Sequence, residues 1–239
     1  MTRAATWIAP GLAALALIAA AAPSTTAGPA TDTLRPAIDQ VLRILDDPAL
    51  KGPGRARERQ AALRTVMETI IDFPDAGRRA LSVHWQARTE AEREEFVILF
   101  KDLVTYSYIV TMDASAGQRV VYVGEAEHDG ITSVVTRIEP RQGSPVPVEY
   151  RMHQRGPRWL VYDVIVEGVS LVANYRAQFN TIVRTSSYAE LIHRIRGRVA
   201  ELTAPPASTS RSDLVRGTPL RAGAGRGLSP RRASHGRRG

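Results

Sequence analysis

Apolar and polar residues alternate along this chain in two rhythms. Between Leu34 and Tyr106 the apolar positions recur every three or four residues, which puts them on one side of a helix. Leu34, Ile38, Val41, Leu42 and Leu45 form a first stripe, ended by Asp46-Asp47-Pro48 and followed by a Lys51-Gly52-Pro53-Gly54 linker. Leu63, Val66, Met67, Ile70 and Ile71 form a second, which Pro74 is expected to stop. Asp75 is placed to cap a short helix over 76–84. Thr89-Glu90-Ala91-Glu92 has the spacing of a capping box, in which hydroxyl and carboxylate each satisfy a free backbone N–H of the other residue. It opens a helix with Phe96, Leu99, Phe100, Leu103 and Tyr106 facing inward.

The rhythm then changes to two. Strands are expected near Arg119–Glu127, Ile131–Glu139, Val146–His153 and Trp159–Glu167, with His128-Asp129-Gly130 and Arg155-Gly156-Pro157 as turns. Short connections argue for an antiparallel meander. Val146, Val148, Tyr150 and Met152 share one face; Leu160, Tyr162, Val164 and Val166 are likewise expected to share one. Gly168 breaks the last strand. A helix with Leu171, Val172, Tyr175, Phe179 and Ile182 comes next, and a second capping box, Ser187 to Glu190, opens a final helix carrying Leu191, Ile192, Ile195, Val199 and Leu202. The class is therefore α+β: an antiparallel sheet of four or more strands whose apolar side is covered by helices.

The two ends read differently. Arg3, an apolar Ala-rich run from Trp7 to Ala22 and the small residues Ala20-Ala21-Ala22 have the form of a secretory signal, assigned to residues 1–27. That run, with Pro10 and Gly11 inside it, is shorter than the roughly 20 residues of a spanning helix. Residues 28–202 make the folded domain, and 203–239 are an Arg/Gly/Ser/Pro-rich tail that buries too little apolar surface to fold. The chain holds no cysteine, which rules out disulfides, thiolate metal sites and a cysteine nucleophile. The net charge of +8 misleads: the tail carries eight arginines against one acid, Asp213, so the domain itself is nearly neutral. A basic patch for nucleic acid is absent from it, and the expected location is the periplasm or the cell exterior, the periplasm on the resemblance given below.

Candidate chemistry is sparse. None of His84, His128, His153, His193 and His235 sits in an HExxH frame. Glu125, Glu127, His128 and Asp129 cluster, but at a turn signal, where a solvated hairpin tip is the simpler reading. Ser170 lacks the glycines of a nucleophile elbow and reads as a helix N-cap. No metal, cofactor or catalytic residue is expected, and the chain is read as a non-enzyme. Asn174, Arg176 and Gln178 are read as fold-locking hydrogen-bonding residues ahead of a head-group role. The arginine tail is read as an inert extension, with an anionic lipid surface as the alternative.

Three stretches carry a resemblance: Val146-Pro147-Val148-Glu149-Tyr150-Arg151, Trp159-Leu160-Val161-Tyr162-Asp163-Val164, and Glu167-Gly168-Val169-Ser170-Leu171-Val172 running into Asn174-Tyr175-Arg176 and Gln178-Phe179. They resemble the MlaC family, also called the toluene-tolerance or ABC-transporter auxiliary family of periplasmic phospholipid carriers. Asp72-Phe73, Leu81, His84-Trp85 and 95–100 extend the likeness over roughly Ile71 to Leu202. Ser82 departs from the family's usual glycine, Ser186-Ser187-Tyr188 from its Gly-containing turn, and the tail is extra.

The resemblance implies a curved sheet and a helix layer with an apolar cavity between them, holding the acyl chains of a phospholipid and leaving the head group outside. It implies an outer-membrane lipoprotein complex and an inner-membrane ABC transporter as partners, upkeep of outer-membrane lipid asymmetry, and a monomer. On that basis the lining is expected from Val148, Tyr150, Tyr162, Val164 and Val166 of the sheet and from Phe100, Val104, Val172, Tyr175 and Phe179 of the helices. Residues that line a cavity and residues that fill a solid core are not separable at this level. Two further readings stay open: a small NTF2-like enzyme, for which Asp163 is the only acid inside an apolar strand, and a carrier of another lipid such as a hopanoid. A two-lobed solute-binding protein does not fit, because βαβ alternation is missing.

Overall fold

The computed structural model describes residues 28–113 and 117–204; the expectations for the leader and for 205–239 lie outside them. The elements run α1 (Pro29–Asp46), α2 (Ala56–Ile70), α3 (Phe73–Leu81), α4 (Glu90–Asp113), β1 (Arg119–His128), β2 (Ile131–Glu139), β3 (Val146–Arg155), β4 (Arg158–Val166), β5 (Val169–Ser170), α5 (Leu171–Thr185) and α6 (Tyr188–Thr203). The fold is α+β, with a curved sheet in the order β1-β2-β3-β4-β5, every neighbouring pair antiparallel. Single 3-10 turns stand at Pro48–Leu50, just before the expected linker, and at Pro53–Arg55, over its second half.

Two β-bulges decide which side chains meet. Each adds one residue to a strand, bends it and reverses the facing of the residues beyond it. In β1 the register jumps between Tyr122 and Gly124, so Glu125 lands opposite Val134 and on the same face as Tyr122. In β4 Asp163 pairs with Arg151 but Val161 pairs with Met152, leaving Tyr162 as the extra residue. Val161 therefore joins Val164 and Val166 on the Met152 face. Tyr162 turns to the other side, its ring 5.3 Å from that of His153 and 4.0 Å below the Arg79 guanidinium. The expectation that Leu160, Tyr162, Val164 and Val166 share one face is thus corrected by the bulge.

Helix α1 lies over the Met152 face. Its N-terminus begins at Gly28, which has no side chain to cap it. Glu125 supplies the missing acceptor: its carboxylate takes the Thr31 N–H and the Thr31 hydroxyl, both at 2.7 Å. A Cβ at position 28 would collide with that carboxylate, so any other residue there would push the Glu125 head group aside. Glu125 is therefore a helix cap rather than part of a hairpin tip. His128 and Asp129 do stand in solvent, 3.3 Å apart at the turn.

The α2–α3 junction crosses the free edge of β4. Ile71 bridges Val161, and the Asp72 N–H donates to the Val161 carbonyl at 2.8 Å. The cap of α3 is Asp72, not Asp75: Asp72 Oδ1 accepts from the Asp75 N–H at 3.0 Å. Pro74 sits in the first turn of α3, where its missing N–H costs nothing, instead of ending α2. The Thr89–Glu92 box forms in both directions. The Ser187–Glu190 box forms by half: Ser187 Oγ accepts the Glu190 N–H, while the Glu190 carboxylate turns to Arg194.

Among the described residues the interior divides into three apolar clusters. One joins α3, α4, α5 and α6 around Phe73, Phe96, Phe100, Phe179 and Leu191. A second joins α1 to the sheet through Ala30, Leu34, Val134, Met152 and Val161. The third packs the end of α1, α2 and the far end of α4 through Leu45, Leu63, Met67 and Ile109. Ile71, only partly buried, borders all three.

Candidate functional site

The expected lining residues divide between these clusters. On the sheet, Val148 is buried at 3% exposure and belongs to none of them. Tyr150 and Val164 pack partly buried against the α1–sheet cluster. Burial pushes the Tyr150 phenol up to about 12, although a hydrogen bond with Thr136 acts the other way. Val166, at the end of β4, is 36% exposed and adjoins Val169 at 61%, so the β4–β5 corner leaves apolar surface open. Tyr162 is buried on the opposite face, among polar groups, and so does not join these four.

Phe100, Val104, Val172, Tyr175 and Phe179 all belong to the helical cluster. Their aromatic members form a packed group: Phe96 and Phe179 meet edge to face at 5.7 Å, Phe100 and Tyr175 at 5.6 Å, and Tyr175 lies 5.4 Å from Phe179. A cleft of about 370 Å³ opens beside them between α4, α5 and α6. Its floor is Tyr175, Phe179, Leu103, Ile182, Leu191 and Ile195; its rim includes Asn174, Gln178, Arg194 and Arg198. An apolar floor under a polar rim suits an amphiphile. Leu103, Ile182, Leu191 and Ile195 were legible only as helix stripes, because nothing in a 3.6 period says which stripe stays unsealed.

Asn174, Arg176 and Gln178 are exposed on α5. The hydrogen bond from Gln178 Nε2 to Asn174 Oδ1, at 3.2 Å, stays within the helix. They do not lock the fold, which corrects that expectation. The locking is done from the sheet's other face by acids. Asp163 accepts from the Ser170 hydroxyl at 2.6 Å and the Val172 N–H at 3.0 Å, while Ser170 Oγ accepts from the Ala173 N–H. Each carboxylate oxygen of Asp163 thereby accepts a hydrogen bond from the start of α5. Asp72 accepts from His153 Nε2 at 3.0 Å and lies 3.3 Å from Arg155 Nη1.

The model of the MlaC protein family matches residues 35–197, well over half of the chain, from α1 to α6. The chain belongs to the MlaC family. As an MlaC-family member it is similar in structure to a phospholipid-binding protein from Ralstonia solanacearum, solved in complex with a phospholipid at 1.53 Å. The TM-score is 0.66 at 24% identity, over 73% of this chain and 99% of that one; a likeness at that identity speaks for the fold. No helix among the described residues of this MlaC protein is long and apolar enough to cross a membrane.

Proposed function

We propose that this MlaC-family protein is a periplasmic phospholipid carrier, the soluble link of an ABC-type lipid transport system that maintains outer-membrane asymmetry. The observation that carries this reading is the family match across both the sheet and the helical layer. Its fold is also that of a protein solved with a phospholipid bound. The physical need is large. Each buried CH₂ is worth about 0.8 kcal/mol, so two chains of roughly 16 carbons cost on the order of 25 kcal/mol to expose. Such a lipid crosses water only inside a carrier, and direction comes from partners that change its affinity, here an outer-membrane lipoprotein complex and an inner-membrane transporter.

The α4–α5–α6 cleft is at the small end of the roughly 300–1,000 Å³ range of ligand pockets. Two acyl chains need more room. The boundary where the three clusters meet at Ile71 can supply it by parting. Asp163 argues against the enzyme reading, since its carboxylate is buried against the start of α5 and lines neither this cleft nor the one between α3 and α5.

Native mass spectrometry of the protein purified from a periplasm, with solvent extraction afterwards, tests the proposal. Excess mass that extracts as diacyl phospholipid is the expected result. A hopanoid would keep the carrier and change its cargo. A ligand-free mass with no uptake from labelled vesicles would overturn the reading.

A further inference from the structure

A second cleft, of about 390 Å³, lies between α3 with the turn after it and α5. Arg78 and Arg79 enter it from α3, Arg176 from α5, and Ser82 and Trp85 from the turn; among the described residues none that lines it is an acid. Arg78 and Arg79 share one carboxylate, Asp75, at 2.5 and 2.6 Å. Arg79 also lies over the Tyr162 ring, which fixes its plane. Each guanidinium has five N–H donors, so both keep donors beyond those given to Asp75. Arg176 is exposed and, among the described residues, meets no carboxylate. Asp75 and the partial negative charge at the C-terminal end of α3 are outnumbered by the three cations.

Ser82, on the wall of the cleft, holds φ 52°, a region that L residues rarely adopt, at a conformational cost. Val83 beside it is 76% exposed and gives the rim an apolar edge.

We infer that this cleft is a recognition site for a phosphate group. Three guanidinium groups arriving from two helices match the several oxygens of a phosphate, whereas a carboxylate is satisfied by one bidentate arginine. The apolar edge and Trp85 suit a phosphate ester better than the bare ion. The phosphate has two sources to choose between, the head group of a carried lipid and a free phosphate in the surrounding water. Only the head-group source rests on the carrier reading above.

The test titrates lipid-free protein with glycerol phosphate and inorganic phosphate at fixed ionic strength, following the Trp85 indole N–H resonance, with acetate and chloride as controls. Saturable shifts with the phosphates and not with the controls are expected. Arg176→Gln should weaken them about tenfold, the loss of one charge-assisted contact. Because Arg176 is exposed and holds no other element in place, its unfolding midpoint should not move. Linear shifts equal to those with chloride, equal saturation by acetate, or indifference to Arg176→Gln would overturn the site.

Repeating the titration on lipid-loaded protein separates the sources. A lost response assigns the cleft to the head group of the cargo; a retained response assigns it to free phosphate. A chain that never carries lipid would still give the saturable shifts of the lipid-free titration, so the two readings fail separately.

Discussion

Asp72 and Asp75 stand three residues apart at the start of α3, and both are nearly fully buried. Burial pushes the Asp75 carboxyl up, but hydrogen bonds from Arg79 and Arg78 outweigh it and hold the group below its ordinary 3.8. A depressed carboxylate stabilises the fold fully above its ordinary value, and that contribution is lost as pH falls through the lower, folded-state value. Urea midpoints measured against pH should therefore show Asp75→Asn less stable than the parent at neutral pH. The two curves should converge in acid, below 3.8; a constant gap would mean that Asp75 matters through packing instead. Asp163 gives a second prediction at this scale. Asp163→Ala removes the acceptor of the Val172 N–H and strands the Ser170 hydroxyl, and should cost about 1–3 kcal/mol in equilibrium unfolding. An unchanged midpoint would make Asp163 a candidate base again. Asp72 and Asp163 stand inside the motif stretches of the sequence, yet their roles were not legible there. Capping by Asp72 is fixed by His153 and Arg155, some eighty residues further on, whereas local spacing points to Asp75.

Among the elements, the helices and strands were legible because their apolar periods are unbroken, and β2 was expected at the same bounds as those observed. The two bulges were not. A bulge is one extra residue in a strand whose own alternation looks regular, and only the register of its partner reveals it. The consequence is large in both places: Tyr162 leaves the apolar face, and Glu125 arrives beneath α1. Helix α1 is thereby held at its first turn by one carboxylate from β1. Glu125→Ala should destabilise the protein by about 1–2 kcal/mol. More tellingly, amide exchange should speed up in the first turns of α1 and stay unchanged in α5 and α6, since the latter pack in a different cluster. Uniform acceleration across the chain would show that α1 does not open by itself.

At the scale of the whole molecule, a domain of this size ordinarily has one contiguous apolar core. Here three clusters are joined through Ile71, a residue whose side chain is still partly open. On the reading proposed above, a carrier must part its layers for two acyl chains and close again when empty, and the boundary between the clusters is where parting breaks the fewest buried contacts. Ile71 is where the consequences separate. Ile71→Ala removes half-buried methyl groups and should cost about 1–3 kcal/mol in unfolding free energy, while leaving room for lipid. Ile71→Trp fills the junction instead. Extracted lipid per protein should fall sharply in the tryptophan variant and stay at the parent level in the alanine variant, with both variants shown to be folded by their unfolding transitions. Full loading of Ile71→Trp would move the lipid chains away from the seam and towards the α4–α5–α6 cleft. There Ile182→Trp, on the floor beside Phe179, should then be the substitution that empties the protein.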